Sequence, residues 1–152
     1  MPQATIQYLT DAGFRAAQFG DAADFLTAAT GYLARVLADA EALVRSNVGD
    51  AVYDAVAAYS LAETRLRRAE EFAAKAELWT RRAAFIDASS VQAMDAAAYL
   101  ERREYLRAAS DAQAQASYWI DEFLAGGDSP GERAITGFAG STVVTGPWSQ
   151  TA

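Results

Sequence analysis

Arginine and glutamate are the side chains of this sequence with the most chemistry to offer, and they are concentrated in one region. Nine of the 13 basic residues lie between Arg65 and Arg107. Arg65, Arg67, Arg68, Arg81 and Arg82 share one stretch, and Arg102, Arg103 and Arg107 the next. Three kinds of chemistry suit such a set. It could converge on an anionic substrate, present a basic face to an acidic partner subunit, or form solvated ion pairs with Glu70, Glu71, Glu77, Glu101 and Glu104. The last is the ordinary condition of exposed helices, and each such pair contributes little.

Composition removes most enzyme classes. The chain has no cysteine and no histidine. Zinc sites of the usual kind, thiol nucleophiles, Ser-His-Asp triads and Glu-x-x-His di-iron bundles are therefore excluded. All-helical chorismate mutases hold a dicarboxylate with Arg, Lys and Glu from facing helices. This chain has a single lysine, Lys75, with no confirming motif around it. No catalytic residue, cofactor or metal is expected. The formal net charge of −7 argues against non-specific nucleic-acid binding, which needs a basic footprint. The opening residues MPQATIQ lack a basic region followed by an apolar run, so no signal peptide is expected. No apolar stretch is long enough for a membrane span.

The glycine-rich segment from Gly126 to Ala152 is the other candidate for function. It holds six of the ten glycines and two of the three prolines, yet carries Ile135, Phe138, Val143, Val144 and Trp148. A solubilising disordered tail has few β-branched and aromatic residues. AITGF and STVVT, separated by Ala139-Gly140, could pair as a hairpin on the chain's own bundle. Alternatively the segment is an arm that docks on another subunit, by strand addition or by inserting Trp148 into a pocket. On that reading these five side chains are the partner-binding residues.

Helices must position both sets. Asp50–Ile86 contains no proline and no internal glycine and is rich in strong helix formers. Gly49 closes the preceding helix and Asp50 caps this one. Val52, Val56, Tyr59, Leu66, Ala69, Ala73, Ala76 and Trp79 roughly follow one helical face. Glu63–Arg67, Glu71–Lys75 and Glu77–Arg81 are spaced as i,i+4 ion pairs. Before it, residues 4–9 form a short lead that could be extended. Thr10 caps a short helix ending at Gly20, and a first long helix runs from Asp21 to about Asn47. That helix has an apolar stripe from Phe25 to Val44, and Gly31 marks a point of close approach. Asp87, Ser89 and Ser90 mark a turn or a kink, and a third long helix runs from about Val91 to Leu124. The expected fold is all-α: a bundle of three long helices plus a short N-terminal helix in residues 1–125, with an extended or hairpin C-terminal arm in 126–152.

Two resemblances bear on function. Tyr118 and Glu122 in YWIDE form a Tyr-x-x-x-Glu pattern similar to the export signal of small helical proteins sent out by type VII secretion, though no matching Trp-x-Gly turn is present. Trp119 and Phe123 beside them read as core. More of the chain resembles the head-to-tail connector (adaptor) proteins of tailed phages. The resemblance lies in the lead and cap YLTDAGFRAAQFGD, the alanine-rich AEEFAAKAELWTRRAAF and the glycine-rich C-terminal arm. It implies a virion structural protein of the neck, made in the host cytoplasm, whose copies form a twelve-membered ring. Its partners would be the portal protein and tail or stopper proteins, with DNA only as passing cargo and no membrane. No catalytic residues follow from it. The alternatives are a helical secretion substrate or partner-binding protein and, remotely, a small helical enzyme.

Overall fold

A computed structural model describes residues 3–89 and 96–126 of the chain. The protein is all-α, with no strand among the described residues. The helices are α1 (Ile6–Asp11), α2 (Tyr32–Val48), α3 (Asp50–Asp54), α4 (Leu61–Ser89) and α5 (Ala96–Leu124), with a 3₁₀ turn at Ala16–Phe19.

The frame is α4 laid against α5. Each has 29 residues, about 43 Å at ~1.5 Å per residue. Trp79 stacks on Tyr105, and Arg82 meets Glu101, while Ala62 lies beside Phe123 and Leu124. Ascending numbers on one helix thus meet descending numbers on the other, so the pair is antiparallel. The seam is built largely from alanine: Ala69, Ala73, Ala74 and Ala83 on α4, and Ala109, Ala112 and Ala116 on α5, are buried. Small side chains let the axes approach closely, and larger ones fill the gaps on either side. Helix α2, with 17 residues, packs mainly on α4 and only marginally on α5.

Large residues form two adjoining cores. In one, Leu9, Phe14, Phe25, Leu33, Val36 and Leu78 join the N-terminal segment to α2 and α4. Ring contacts run through it from Tyr105 and Trp79 to Phe14, Phe19, Phe25 and Tyr32, with centroids 4.9–6.3 Å apart. In the other, Val44, Val48, Tyr53, Leu66, Ala69 and Ile120 join α2, α3, α4 and α5.

Several expected boundaries move. The lead is helical, because Thr5 rather than Thr10 accepts the Tyr8 N–H and starts α1. Only a 3₁₀ turn forms where the short helix was expected, between the left-handed Gly13 and Gly20. The first long helix begins at Tyr32, not Asp21. Asp21 and Ala29 are left-handed, and a tight turn brings the Asp24 and Thr27 carbonyls to 2.3 Å from where a Cβ on Gly31 would sit. Gly31 is therefore a close approach, but of a turn to its own following helix. The expected central helix is split. Gly49, at φ +90°, closes α2 and opens α3, which stops after Asp54. Tyr59 is left-handed at φ +60°, and α4 starts again with the Ser60 hydroxyl accepting the Glu63 N–H at 3.0 Å. The Glu63 carboxylate accepts the Tyr59 N–H in return. The third helix is described from Ala96, and Gly126 at φ +62° follows its end. The arm beyond Gly126, and the turn residues 90–95, lie outside the described residues.

Candidate functional site

Arg67, Arg68, Arg81 and Arg82 do not converge on one point. Arg81 pairs with Glu77 at 2.7 Å and Asp39 at 3.4 Å, and its guanidinium lies over Tyr32. Arg82 lies 4.2 Å from the Tyr105 ring centroid and 3.9 Å from Glu101, clamping α4 to α5. Burial and the Glu101 carboxylate together push the Tyr105 hydroxyl up to about 12. Glu71 is buried and pairs with Arg68 at 3.0 Å and Arg67 at 3.9 Å, rather than with Lys75. Lys75 instead donates to the Tyr8 hydroxyl at 2.7 Å and lies over the Tyr8 and Phe72 rings. Glu63 is turned toward the Tyr59 backbone. Arg81 on Asp39, Arg82 on Glu101 and Lys75 on Tyr8 fasten elements to one another, and the pairs of Arg67, Arg68 and Arg81 with Glu71 and Glu77 lie within α4. Among the described residues, no group of His, Cys, Asp or Glu is arranged to hold a metal ion.

Glu70, expected among the surface pairs, is fully buried. One carboxylate oxygen accepts the backbone N–H groups of Gln3 at 2.6 Å and Ala4 at 2.8 Å, and the other accepts the Tyr53 hydroxyl. Burial pushes the carboxyl above its ordinary value, against the three hydrogen bonds that favour its charged form. Burial and the adjacent carboxylate push the Tyr53 phenol well above its ordinary value. Arg45 covers the Tyr53 ring at 4.1 Å and bonds Glu41 at 2.9 Å and Asp54 at 2.8 Å. That contact holds the Asp54 carboxyl below its usual range. One buried carboxylate thus ties the N-terminal segment and α3 to the middle of α4. The signal was in the sequence: Glu70 lies four residues after Leu66 and four before Ala74, in phase with the buried face.

This network fixes α3 as one wall of an apolar groove at the end of the molecule where α4 begins and α5 ends. Val52, Ala55 and Val56 face Ala62, Phe123 and Leu124 across a space of ≈ 650 Å³. Among the described residues, no charged residue lines it. Its surroundings are unusually apolar: Val52, Leu61 and Leu124 are about half exposed, and Tyr59 is fully exposed. An exposed aromatic ring held on a left-handed residue is a costly arrangement, and such outliers cluster at functional positions.

The chain matches no family model, no curated protein and no solved structure. The site is accordingly read from its geometry.

The expected partner-binding residues, Ile135, Phe138, Val143, Val144 and Trp148, lie outside the described residues. Of the Tyr-x-x-x-Glu pair, Tyr118 is exposed but Glu122 is buried, so the pattern is not displayed as a unit. Trp119 and Phe123 pack against the second core, as expected. No helix among the described residues is long and apolar enough to cross a membrane. The groove is not legible in the sequence because Val52 and Val56 read as part of the inward stripe of one unbroken helix. The Ser60-x-x-Glu63 capping signature could have revealed the break.

Proposed function

We propose that this protein is a structural subunit of a tailed-phage virion, a head-to-tail connector whose copies assemble as a ring between portal and tail. On this reading residues 1–125 form a bundle of three long helices and residues 126–152 an arm that docks on the partner through Ile135, Phe138, Val143, Val144 and Trp148. DNA passes through the ring lumen, and an acidic subunit suits a wall that DNA must slide past.

The observation that carries the reading is the outer flank of the long hairpin. Helix α2 is too short to cover α4 along its length and barely reaches α5. Tyr99, Leu106 and Leu124 recur at intervals of 7 and 18 residues on α5, which places them on one flank, and all three are exposed. Phe85 and Leu100 extend the apolar surface toward the other end of the hairpin. Between Tyr99 and Leu124 the same flank carries Arg103, Ser110, Gln113, Ser117 and Asp121, so these are separate exposed apolar side chains available for contact with other chains rather than one patch. The sequence resemblance supplies the specific assembly.

The reading is tested by mixing the purified protein with a candidate tailed-phage portal protein and imaging the mixture by electron microscopy. A ring of this chain seated on the portal is expected; portal rings that remain bare at saturating concentrations would overturn it.

A further inference from the structure

We infer that the apolar groove between α3 and the α4–α5 end is the resting seat of the chain's own segment 135–148. The groove would hold that segment in the isolated subunit, before it is released to a partner. Three observations carry this. The first is position: Leu124 lines the groove, and the chain leaves the described structure at Gly126, two residues later. Gly126 is left-handed, so the backbone turns out of the α5 axis at that point rather than continuing beyond it. At ~3.4 Å per extended residue, residues 127–134 reach at most roughly 27 Å. That is enough to lay Ile135 anywhere along the groove, and too little to carry it to the far end of the hairpin.

The second is chemical match. Among the described residues the groove lining has no charge, and the segment ITGFAGSTVVTGPW has none either, in a chain whose charged fraction is 22%. Phe138, Val143, Val144 and Trp148 supply the apolar side chains, while the groove offers Val52 and Leu124, each about half exposed. The third is competition between copies. A segment tethered this closely meets its own groove at an effective concentration in the millimolar range, which a second copy reaches only at comparable protein concentration. The same-chain seat is therefore occupied first.

Such a seat gives the groove a role that surface assembly alone does not. It masks the arm's apolar residues until a better binding site competes for them.

The test uses the full chain, whose lack of cysteine allows a single nitroxide to be placed at Ala57→Cys on the groove, or at Thr80→Cys far along α4 as a control. Line broadening is read in a ¹⁵N-labelled chain carrying the nitroxide, at low concentration and again after tenfold dilution with unlabelled protein. The expected result is broadening that peaks within 135–148 for the groove label, survives dilution, is absent with the control label, and falls severalfold in Val52→Asp and Leu124→Asp. Both substitutions are at exposed positions, and helical circular dichroism checks that each variant stays folded. Broadening that decays steadily from Gly126 would overturn the proposal, as would indifference to both substitutions. A maximum that disappears on dilution would also overturn it, in favour of exchange between copies. No portal is present in the experiment, so failure here leaves the connector reading to its own test.

Discussion

Glu70 is the residue on which the most depends. A buried carboxylate with three donors is costly to disturb in one way and not in another. Glu70→Gln keeps an acceptor for the Gln3 and Ala4 N–H groups and removes the buried charge. It is expected to change stability by less than ~1 kcal/mol at neutral pH. Glu70→Leu strands two buried N–H groups and the Tyr53 hydroxyl, with an expected loss of roughly 2–5 kcal/mol. Urea unfolding of the two variants checks the contrast; equal losses would mean that shape, not hydrogen bonding, holds the N-terminal segment. The pH dependence has a definite sign. Burial raises the folded-state carboxyl above its ordinary value, so the folded chain binds this proton more tightly than the unfolded chain. The stabilising contribution of Glu70 is therefore fully present below the ordinary carboxylate range and declines as pH rises through the raised value. Asp54, held low by Arg45, acts in the opposite direction. Wild type minus Glu70→Gln should thus show a difference in thermal midpoint that grows unfavourable to wild type as pH increases above that range. A difference independent of pH would contradict the assignment. Gly31 is the second residue with a sharp consequence. A Cβ there would lie 2.3 Å from the Asp24 and Thr27 carbonyl oxygens, which are backbone and cannot rotate away. Gly31→Ala should cost about 1–3 kcal/mol of overpacking, measurable in the same unfolding experiment.

At the scale of elements, capping decides where helices stop more than propensity does. The alanine-rich composition made helices legible throughout, and the inward positions Leu33, Val36, Val44, Leu66, Ala69, Ala112, Ala116 and Ile120 all lie on buried faces. Composition could not place the breaks. Residues 50–86 read as one helix because every residue in it tolerates one. The break at 55–60 comes from Tyr53 being drawn to Glu70, 17 residues along the chain, and from the cap in which Ser60 accepts the Glu63 N–H while Glu63 accepts the Tyr59 N–H. The same long-range pull explains why Val52 and Tyr59, which fit a helical stripe with Leu66, are exposed while Tyr53 is buried. In the first long helix, Thr27, Thr30 and Gly31 are weak helix formers. Turning there lets Phe25 stack on Phe19 and Tyr32, which an unbroken helix from Asp21 would prevent. Ser60→Ala should remove the α4 cap at a cost of about 1 kcal/mol. If α3 and the loop are held by the cap rather than by Tyr53, hydrogen exchange at residues 51–56 will accelerate in this variant; the Glu70 network predicts that it will not.

At the scale of the whole molecule, the described residues form two long antiparallel helices braced on one side, with exposed apolar side chains on the flank and at one end. The arm contributes to partner contact more than to the fold on this account. Deleting residues 127–152 should leave helical circular dichroism unchanged and lower stability by about 1 kcal/mol or less, a shift of a few degrees at most in a chain of this size. A much larger drop would make the arm part of the subunit core. The net charge of −7 predicts weak duplex-DNA affinity at physiological salt, and nanomolar binding in an anisotropy titration would be incompatible with a passive channel wall. The central claim is that the exposed flank and the arm together build an assembly on a portal. Light-scattering mass, determined for this protein alone, with the portal ring, and with the portal ring after deletion of residues 127–152, tests that claim most directly. The account predicts a monomer or small oligomer alone and a complex carrying a full ring of copies with the portal. It also predicts loss of that complex on deletion and weakening by Trp148→Ala. A protein that stays monomeric and never adds mass to the portal under any condition would contradict it.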